Sequence, residues 1–350
     1  KDGRLTAVQA TLYGDGGAYA SLSDKVLTRA TTHASGPYDV PNVKVDCFAT
    51  YTNNVPCGAF RGFGVSQSCF AVESNMDILA ARLDVDPIDF RRMNALEVGS
   101  TTATGQVMRE SVGLHECMDR VTRDLRGEDF RWSWEDGHRR YAWGLAIGYK
   151  NTGLGGGAPD KATAEVEAWH DTEKGLVAEV RISSAEMGQG LPGVLASCAA
   201  EELGIATENV NVLLGDTDVC PDGGPTTASR QTFVSGNAAR HAARDAAQLL
   251  ADAPGKRVVA RHEYWAPKTQ PLGTGGDMHV AFSFAVQAAL CEIDMRTGGV
   301  EVRKIIAAHD VGRAINPLTL EGQIEGGIVM CIGYALTEHY IQEDGQPWTN

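Results

Sequence analysis

Four short stretches combine residue types that could do chemistry. The first is Gly58-Ala59-Phe60-Arg61-Gly62-Phe63-Gly64, where glycines alternate with bulky side chains just ahead of a helical pattern. Such a loop lets backbone approach a ligand closely and turns amides toward an anion or oxo group. Arg61 could hold a negative ligand and Phe63 could form an aromatic wall. The second is Glu186-Met187-Gly188-Gln189-Gly190, between a strand and a helix, where a helix start can receive phosphate or a polar heterocycle. Gln189 offers both donor and acceptor. The third, Gly223-Gly224-Pro225-Thr226-Thr227-Ala228-Ser229-Arg230-Gln231-Thr232, carries amides and hydroxyls suited to cradling phosphate. The fourth runs from Asp310 through Gly312-Arg313 and Asn316-Pro317 to Gly322-Gln323-Ile324-Glu325-Gly326-Gly327. Glycine inside that helix costs about 1 kcal/mol at each position, which points to close packing. Taken singly, each stretch is equally an ordinary turn, a helix cap or a helix–helix contact. None is a Rossmann fingerprint or a P-loop.

The elements that must position these stretches follow from periodicity. Strands are expected at 4–12, ending in the turn Gly14-Asp15-Gly16-Gly17, and at 43–52. Val65, Cys69, Val72, Met76, Leu79 and Leu83 predict a helix, and Asp86-Pro87 starts another. Residues 123–140 read as a charged surface segment. Beyond the cluster Gly153-Leu154-Gly155-Gly156-Gly157, strands are expected at 161–170, 176–185, 209–214 and 257–265. A hairpin is expected at 282–294 and 299–309, closed by Arg296-Thr297-Gly298-Gly299. Helices are expected at 191–203, stopped by Gly204, at 236–252 and at 318–337. The chain is therefore read as α+β, with mixed sheets and packed helices. The expected division is 1–140, a connecting segment at 141–160, and a second domain at 161–350.

Composition removes several functional classes. With 31 basic and 45 acidic residues the net charge is −14, so neither nucleic acid nor anionic lipid is an expected partner. No apolar run approaches the roughly 18 residues a membrane span needs. The eight cysteines show no C-x-x-C spacing, hold no iron–sulfur cluster and suit a reducing, cytoplasmic compartment. Glycine, 40 of 350 residues, exceeds the average of about 7%.

In order and spacing, AFRGFG at 59–64, EMGQG at 186–190, PTTASRQT at 225–232 and DVGRAINP with GQIEGG at 310–327 resemble one family. It is the molybdenum-cofactor-binding subunit of the xanthine dehydrogenase/aldehyde oxidoreductase family. The resemblance implies two molybdopterin-binding domains, incomplete at both ends in this chain. It implies a molybdopterin or molybdopterin cytosine dinucleotide whose dithiolene, not a protein side chain, holds the molybdenum. It implies hydroxylation of an electron-poor carbon with water as oxygen source. Electrons would leave through [2Fe–2S] clusters, with FAD as an option, on partner subunits or domains. The other implied partners are a small-molecule substrate and the remaining parts of the same molybdenum subunit.

Carried over by position, Phe60, Arg61 and Gly62 would lie beside the molybdenum ligands, and Phe63 would wall the substrate slot. Gly188, Gln189 and Gly190 would sit near the metal and pterin. Ala228, Ser229, Gln231 and Thr232 would line the pterin or its phosphate, and Gln323 would contact the pterin. Arg29 matches the arginine that stabilises the transition state in purine-oxidising members; a surface ion pair is the equal alternative. The family's glutamate base, in a Gly-Val-Gly-Glu-type motif, is not in this chain. The second aromatic wall expected around 148–158 is not evident either, which implies a more open pocket. The leading expectation is an N-heterocycle hydroxylase. The alternatives are an aldehyde oxidoreductase, a hydroxyaryl-CoA reductase, or a non-catalytic binding or assembly module.

Overall fold

The computed structural model describes residues 2–127 and 130–349. The chain forms two compact units, and it passes from one to the other more than once. Residues 1–150, 283–311 and 329–350 make unit 1, and residues 151–282 and 312–328 make unit 2.

Unit 1 begins with β1 (Val8–Asp15), which pairs in parallel with β2 (Val43–Thr50), Val8 facing Val43 and Asp15 facing Thr50. Between them lies α1 (Ser23–Thr32). The glycine loop leads into α2 (Val65–Leu83), followed by α3 (Pro87–Asn94). The Asp86 carboxylate accepts from the Ile88 and Asp89 amides, a cap worth about 1 kcal/mol. Next comes α4 (Leu114–Leu125), which buries Leu114, Cys117, Met118, Val121 and Leu125 along one face. Then β3 (Ser133–Asp136) turns into the long β4 (Arg139–Thr152). With β9 (Ala281–Asp294) and β10 (Val300–Asp310) these complete a sheet ordered β10-β9-β4-β3.

A buried polar hub ties the helices of unit 1 to this sheet. The Glu73 carboxylate of α2 accepts from Arg91 Nε at 2.8 Å, Tyr38 OH at 2.5 Å and Ile147 N of β4 at 2.9 Å. Arg91 is fully buried and also reaches Asp77. Removing one partner of such a pair costs about 3–5 kcal/mol, because a buried charge is left uncompensated. The hub fixes the register of β4 against α2.

Unit 2 is a sheet ordered β7-β6-β5-β8, formed by β5 (Lys161–Asp171), β6 (Gly175–Ile182), β7 (Val210–Leu214) and β8 (Val258–Trp265). β5 pairs antiparallel with β6 and β8, and β6 pairs parallel with β7. The helices α5 (Leu191–Leu203) and α6 (Gly236–Asp252) join this sheet in one core. Ala238, Ala239, Ala242, Ala243 and Ala246 of α6 are all fully buried. Side chains this small let a helix lie close to the strands. The last helix, α7 (Pro317–Leu336), starts in unit 2 and ends in unit 1.

Several expectations shift. The first strand runs over 8–15 rather than 4–12, so the sequence Gly14-Asp15 belongs to the strand. Residues 161–350 do not form one unit: the expected hairpin at 282–309 is real, but it joins unit 1 through the sheet containing β4. The segment 123–140 is not a plain surface stretch; it includes the end of α4 and the β3–β4 hairpin, while residues 128 and 129 lie outside the described residues.

Candidate functional site

In unit 1 the glycine loop is seated on α1. Gly64 caps α2 at φ +87°, and a Cβ there would lie 2.2 Å from the Val26 carbonyl oxygen and 3.1 Å from the Ala30 amide. No side chain fits this position. The loop is thereby held one turn from Arg29. Phe63 adopts φ +52°, an uncommon conformation for a bulky residue, and is half-buried. Gly62 beside it lies at φ +99°. Phe60 is exposed and packs on Tyr334 with ring centroids 5.2 Å apart. Arg61 is exposed and reaches Met330 Sδ at 3.8 Å. Of the residues expected here, unit 1 therefore groups Arg29, Phe60, Arg61, Gly62 and Phe63.

The last turn of α1 meets the end of β4. His33 Nδ1 lies 3.0 Å from the Arg29 carbonyl oxygen and 3.0 Å from Thr32 Oγ1. Its ring lies 4.7 Å from that of Tyr149. The Tyr149 hydroxyl donates to the Thr32 carbonyl at 3.5 Å. Burial, reinforced by the nearby Arg29 guanidinium, pushes the Lys150 ammonium down to about 7. Burial, with the charges of Lys150 and Arg29, lowers His33 to about 3 despite the Arg29 carbonyl. Burial pushes the Cys69 thiol of α2 up to about 12, keeping it protonated. Lys150 and His33 lie outside the set that sequence singles out. The available signal for Lys150 is an ionisable residue embedded in an alternating apolar strand, obscured by Gly144 and Gly148.

In unit 2 three of the motifs come together. The Glu186 carboxylate accepts from Gly188 N at 2.6 Å, Gly190 N at 3.0 Å and Leu191 N at 2.7 Å. The start of α5 therefore already receives a carboxylate from its own loop, that of Glu186. Gln189 closes the same loop: its Oε1 accepts from Met187 N and its Nε2 donates to the Ala185 carbonyl. Ala185 N donates to Thr226 Oγ1 at 2.9 Å, joining this loop to the 225–232 loop. Thr319 at the start of α7 lies 3.2 Å from where a Cβ on Gly190 would be. Asn316 caps α7 as expected, its Oδ1 accepting from Thr319 N.

The 225–232 loop is shaped by an arginine absent from the sequence-derived set. Arg230 is fully buried, pairs with Asp160 at 2.6 Å and donates to the carbonyls of Gly223, Pro225 and Lys161. Around it Ala228 and Ser229 are left-handed, at φ +53° and +52°. Gln231 lies inside: it accepts from Ser184 Oγ and Ser235 Oγ and donates to Thr226 Oγ1 and the Pro225 carbonyl. Residues 231–235 form a π-helical turn before α6. Ser229 and Thr232 are exposed, and Gln323 is half-buried on α7. Gly188 is open, since a Cβ there would meet nothing within 4 Å.

A large polar cofactor suits this surface. Preset left-handed backbone, exposed hydroxyls and an open glycine provide the cradle. Among the described residues no group of three or more His, Cys, Asp or Glu could hold a metal. No helix of the described residues is long and apolar enough to cross a membrane.

Comparison with known proteins decides the family. Models of the molybdopterin cofactor-binding domain match residues 1–95 and, in a second form, residues 120–258 and 246–350. The chain belongs to the molybdopterin-binding subunits of the xanthine dehydrogenase/aldehyde oxidoreductase family. It is 29% identical over 98% of its length to a probable xanthine dehydrogenase subunit of Bacillus subtilis, of which it covers 50%. It is 56% identical over 121 residues to the nicotinate dehydrogenase large molybdopterin subunit of Eubacterium barkeri, which is 35% of this chain and 28% of that one. The aldehyde oxidoreductase structure from Desulfovibrio desulfuricans superimposes with a TM-score of 0.84 at 26% identity, over 97% of this chain and 39% of that one. The chain thus spans half or less of these family members.

Proposed function

We propose that the chain is part of the catalytic subunit of a molybdenum hydroxylase that oxidatively hydroxylates an N-heterocycle, with water as oxygen source. The reading is supported by the placement of Arg29: the glycine loop carrying Phe63 is locked onto the helix that carries it. A guanidinium there can offset negative charge developing on a heterocycle as its carbon is attacked. When bound, the molybdenum–pterin group supplies the two-electron redox chemistry. Ser229, Thr232, Gln323 and the backbone around Gly188, all in unit 2, would hold that group. Gln189 and Gln231 would act by fixing their loops. Phe63 would orient a planar ring by its face.

Iron–sulfur clusters, and FAD as an option, would reside on partner subunits or domains; the compared proteins include named subunits of larger assemblies. The location proposed is cytoplasmic, in keeping with the scattered free cysteines.

The test is made on the natively expressed complete complex. Elemental analysis and cofactor extraction should find molybdenum and a pterin, and a protein with neither overturns the proposal. A panel of hypoxanthine, nicotinate and benzaldehyde then separates heterocycle from aldehyde oxidation. Arg29→Ala should depress heterocycle turnover most, and unchanged turnover would remove Arg29 from the mechanism.

A further inference from the structure

The carboxylate of Asp160 touches two loops of unit 2 at once. Asp160 stands immediately before β5, is 7% exposed, and accepts at its main-chain carbonyl from Ala266 N, one residue past β8, at 2.9 Å. A side chain rooted on a strand end is held more firmly than one on a free loop. Its Oδ1 accepts from Arg230 Nε of the 225–232 loop at 2.6 Å. Its Oδ2 accepts from Leu154 N of the glycine cluster 153–157 at 2.9 Å. A main-chain bond runs beside this bridge, Gly153 N donating to the Ala228 carbonyl at 3.0 Å. The rest of the Arg230 fork donates to the carbonyls of Gly223, Pro225 and Lys161, and a Cβ on Gly224 would lie 3.0 Å from its Nη2. The other side of the glycine cluster is tied down as well, Gly156 N donating to the Met278 carbonyl at 2.8 Å and Gly157 N to Thr269 Oγ1 at 3.0 Å.

We propose that Asp160 is a positioning residue that couples the 153–157 loop to the cofactor cradle, so that the two loops hold or release as one. This rests on the reading of the 225–232 loop as part of that cradle. Ala228 and Ser229 are left-handed, a conformation that persists in non-glycine residues only where the surroundings over-determine it. Here the determinants are the Arg230 fork and the Gly153–Ala228 bond, and Asp160 acts on both, through Arg230 and through Leu154. Without its counter-charge the fully buried guanidinium would be left uncompensated, and its hold on the loop carbonyls would loosen. A group seated on the exposed Ser229 and Thr232 restrains the cradle, and the bridge carries that restraint to Leu154. Linkage demands the converse: whatever keeps 153–157 in place tightens the cradle. The bridge needs a carboxylate, because each of its oxygens accepts from a different side. An asparagine has one acceptor oxygen, and its amide nitrogen would face either the guanidinium or the Leu154 N–H, donor against donor. Asp160→Asn thus keeps the shape and breaks the bridge.

Hydrogen–deuterium exchange on the complete complex reads the coupling without any turnover. The complex is purified from a host that makes the pterin and from one that cannot. In wild type, peptides covering 153–157 and 225–232 should both exchange about ten-fold more slowly with the pterin bound. In Asp160→Asn the 225–232 peptide should still respond to the pterin, and the 153–157 peptide should not. Molybdenum and pterin should also leave the variant about ten-fold faster on dilution, the effect of losing one charged hydrogen bond. Peptides within α6 should exchange alike in both proteins. Faster exchange throughout unit 2, with the response of 153–157 to the pterin intact, would make Asp160 merely structural and overturn the proposal. A wild-type 153–157 peptide that ignores the pterin while 225–232 responds overturns it too, and that arm stays decisive if Asp160→Asn does not fold. A complex in which neither loop responds refutes the reading of 225–232 as the cradle, and the coupling with it, whereas a response of 225–232 alone refutes only the coupling.

Discussion

His33 makes the electrostatics of the α1–β4 corner measurable. Its imidazole is held neutral by burial first and by the charge of Lys150 next, so its folded value lies near 3 while the unfolded chain titrates near 6.5. Between those two values the unfolded state binds the proton and the folded state does not. Stability therefore falls as pH drops from about 6.5 toward 3, with a slope of up to about 1.4 kcal/mol per pH unit from this group, and is unaffected by it above 6.5. Urea unfolding at a series of pH values should show His33→Gln with a shallower acid slope than wild type and an equal slope above pH 7. Parallel acid slopes would mean that the imidazole takes up its proton in the folded state as easily as in the unfolded one. Residues such as His33, Lys150 and Arg230 escape a reading of sequence because their importance comes from burial. A histidine in Thr-Thr-His or a lysine in Tyr-Lys-Asn looks like many surface residues until the strand beside it is known.

At the scale of elements, the helices with a clean apolar period and a stop signal were legible. The pattern from Val65 to Leu83 gives α2, Gly204 ends α5 in the left-handed conformation, and α6 spans 236–252 as expected. Two of the unanticipated elements had mixed signals. Helix α1 is rich in threonine and lacks a side-chain cap, and β4 interrupts its alternation with two glycines, Gly144 and Gly148. The period Leu114, Cys117, Met118, Val121, Leu125 shows that α4 was readable from spacing. The loops themselves were found as motifs, but their wiring was not: nothing in Glu-Met-Gly-Gln-Gly says that the glutamate caps the helix and the glutamine folds back. Two glycines separate what a loop needs for folding from what it needs for a ligand. Gly64→Ala would force a Cβ against the Val26 carbonyl, so thermal unfolding should show a large loss of stability along with loss of cofactor. Gly188 sits at φ +96° with open space around it, so Gly188→Ala should cost only about 1–2 kcal/mol. If a pterin passes close to that backbone, the Gly188→Ala holoenzyme should nevertheless lose molybdenum and pterin by elemental analysis and extraction. Full retention of both would place the cofactor away from Gly188.

At the scale of the molecule, two surfaces are more apolar than an acidic chain of net charge −14 would ordinarily leave in water. The parallel pair β1–β2 carries Tyr13 at 77% and Phe48 at 50% exposure, their rings stacked 5.2 Å apart, with Tyr51 at 77% beyond them. Parallel strands are normally covered on both faces. Helix α7 is rich in apolar residues and has no buried residue; Leu318 is 79% exposed and Val329 66%. A helix apolar all round normally lies inside protein, and contiguous apolar surface normally marks a contact. Because the chain spans half or less of the relatives it matches, covered surfaces of this kind are expected in the complete enzyme. Hydroxyl-radical footprinting resolves the question residue by residue. In the complete complex Tyr13, Phe48, Leu318 and Val329 should be labelled far less than their exposure here predicts. Trp265, 54% exposed and lying over Lys161 in a polar setting, should be labelled fully and serves as the internal standard. Labelling of all five in proportion to exposure would mean that α7 and the β1–β2 face stay in water in the working enzyme. The apolar composition of α7 would then need a cause other than burial, and the glycines at 322, 326 and 327 would lose their explanation as sites of close packing.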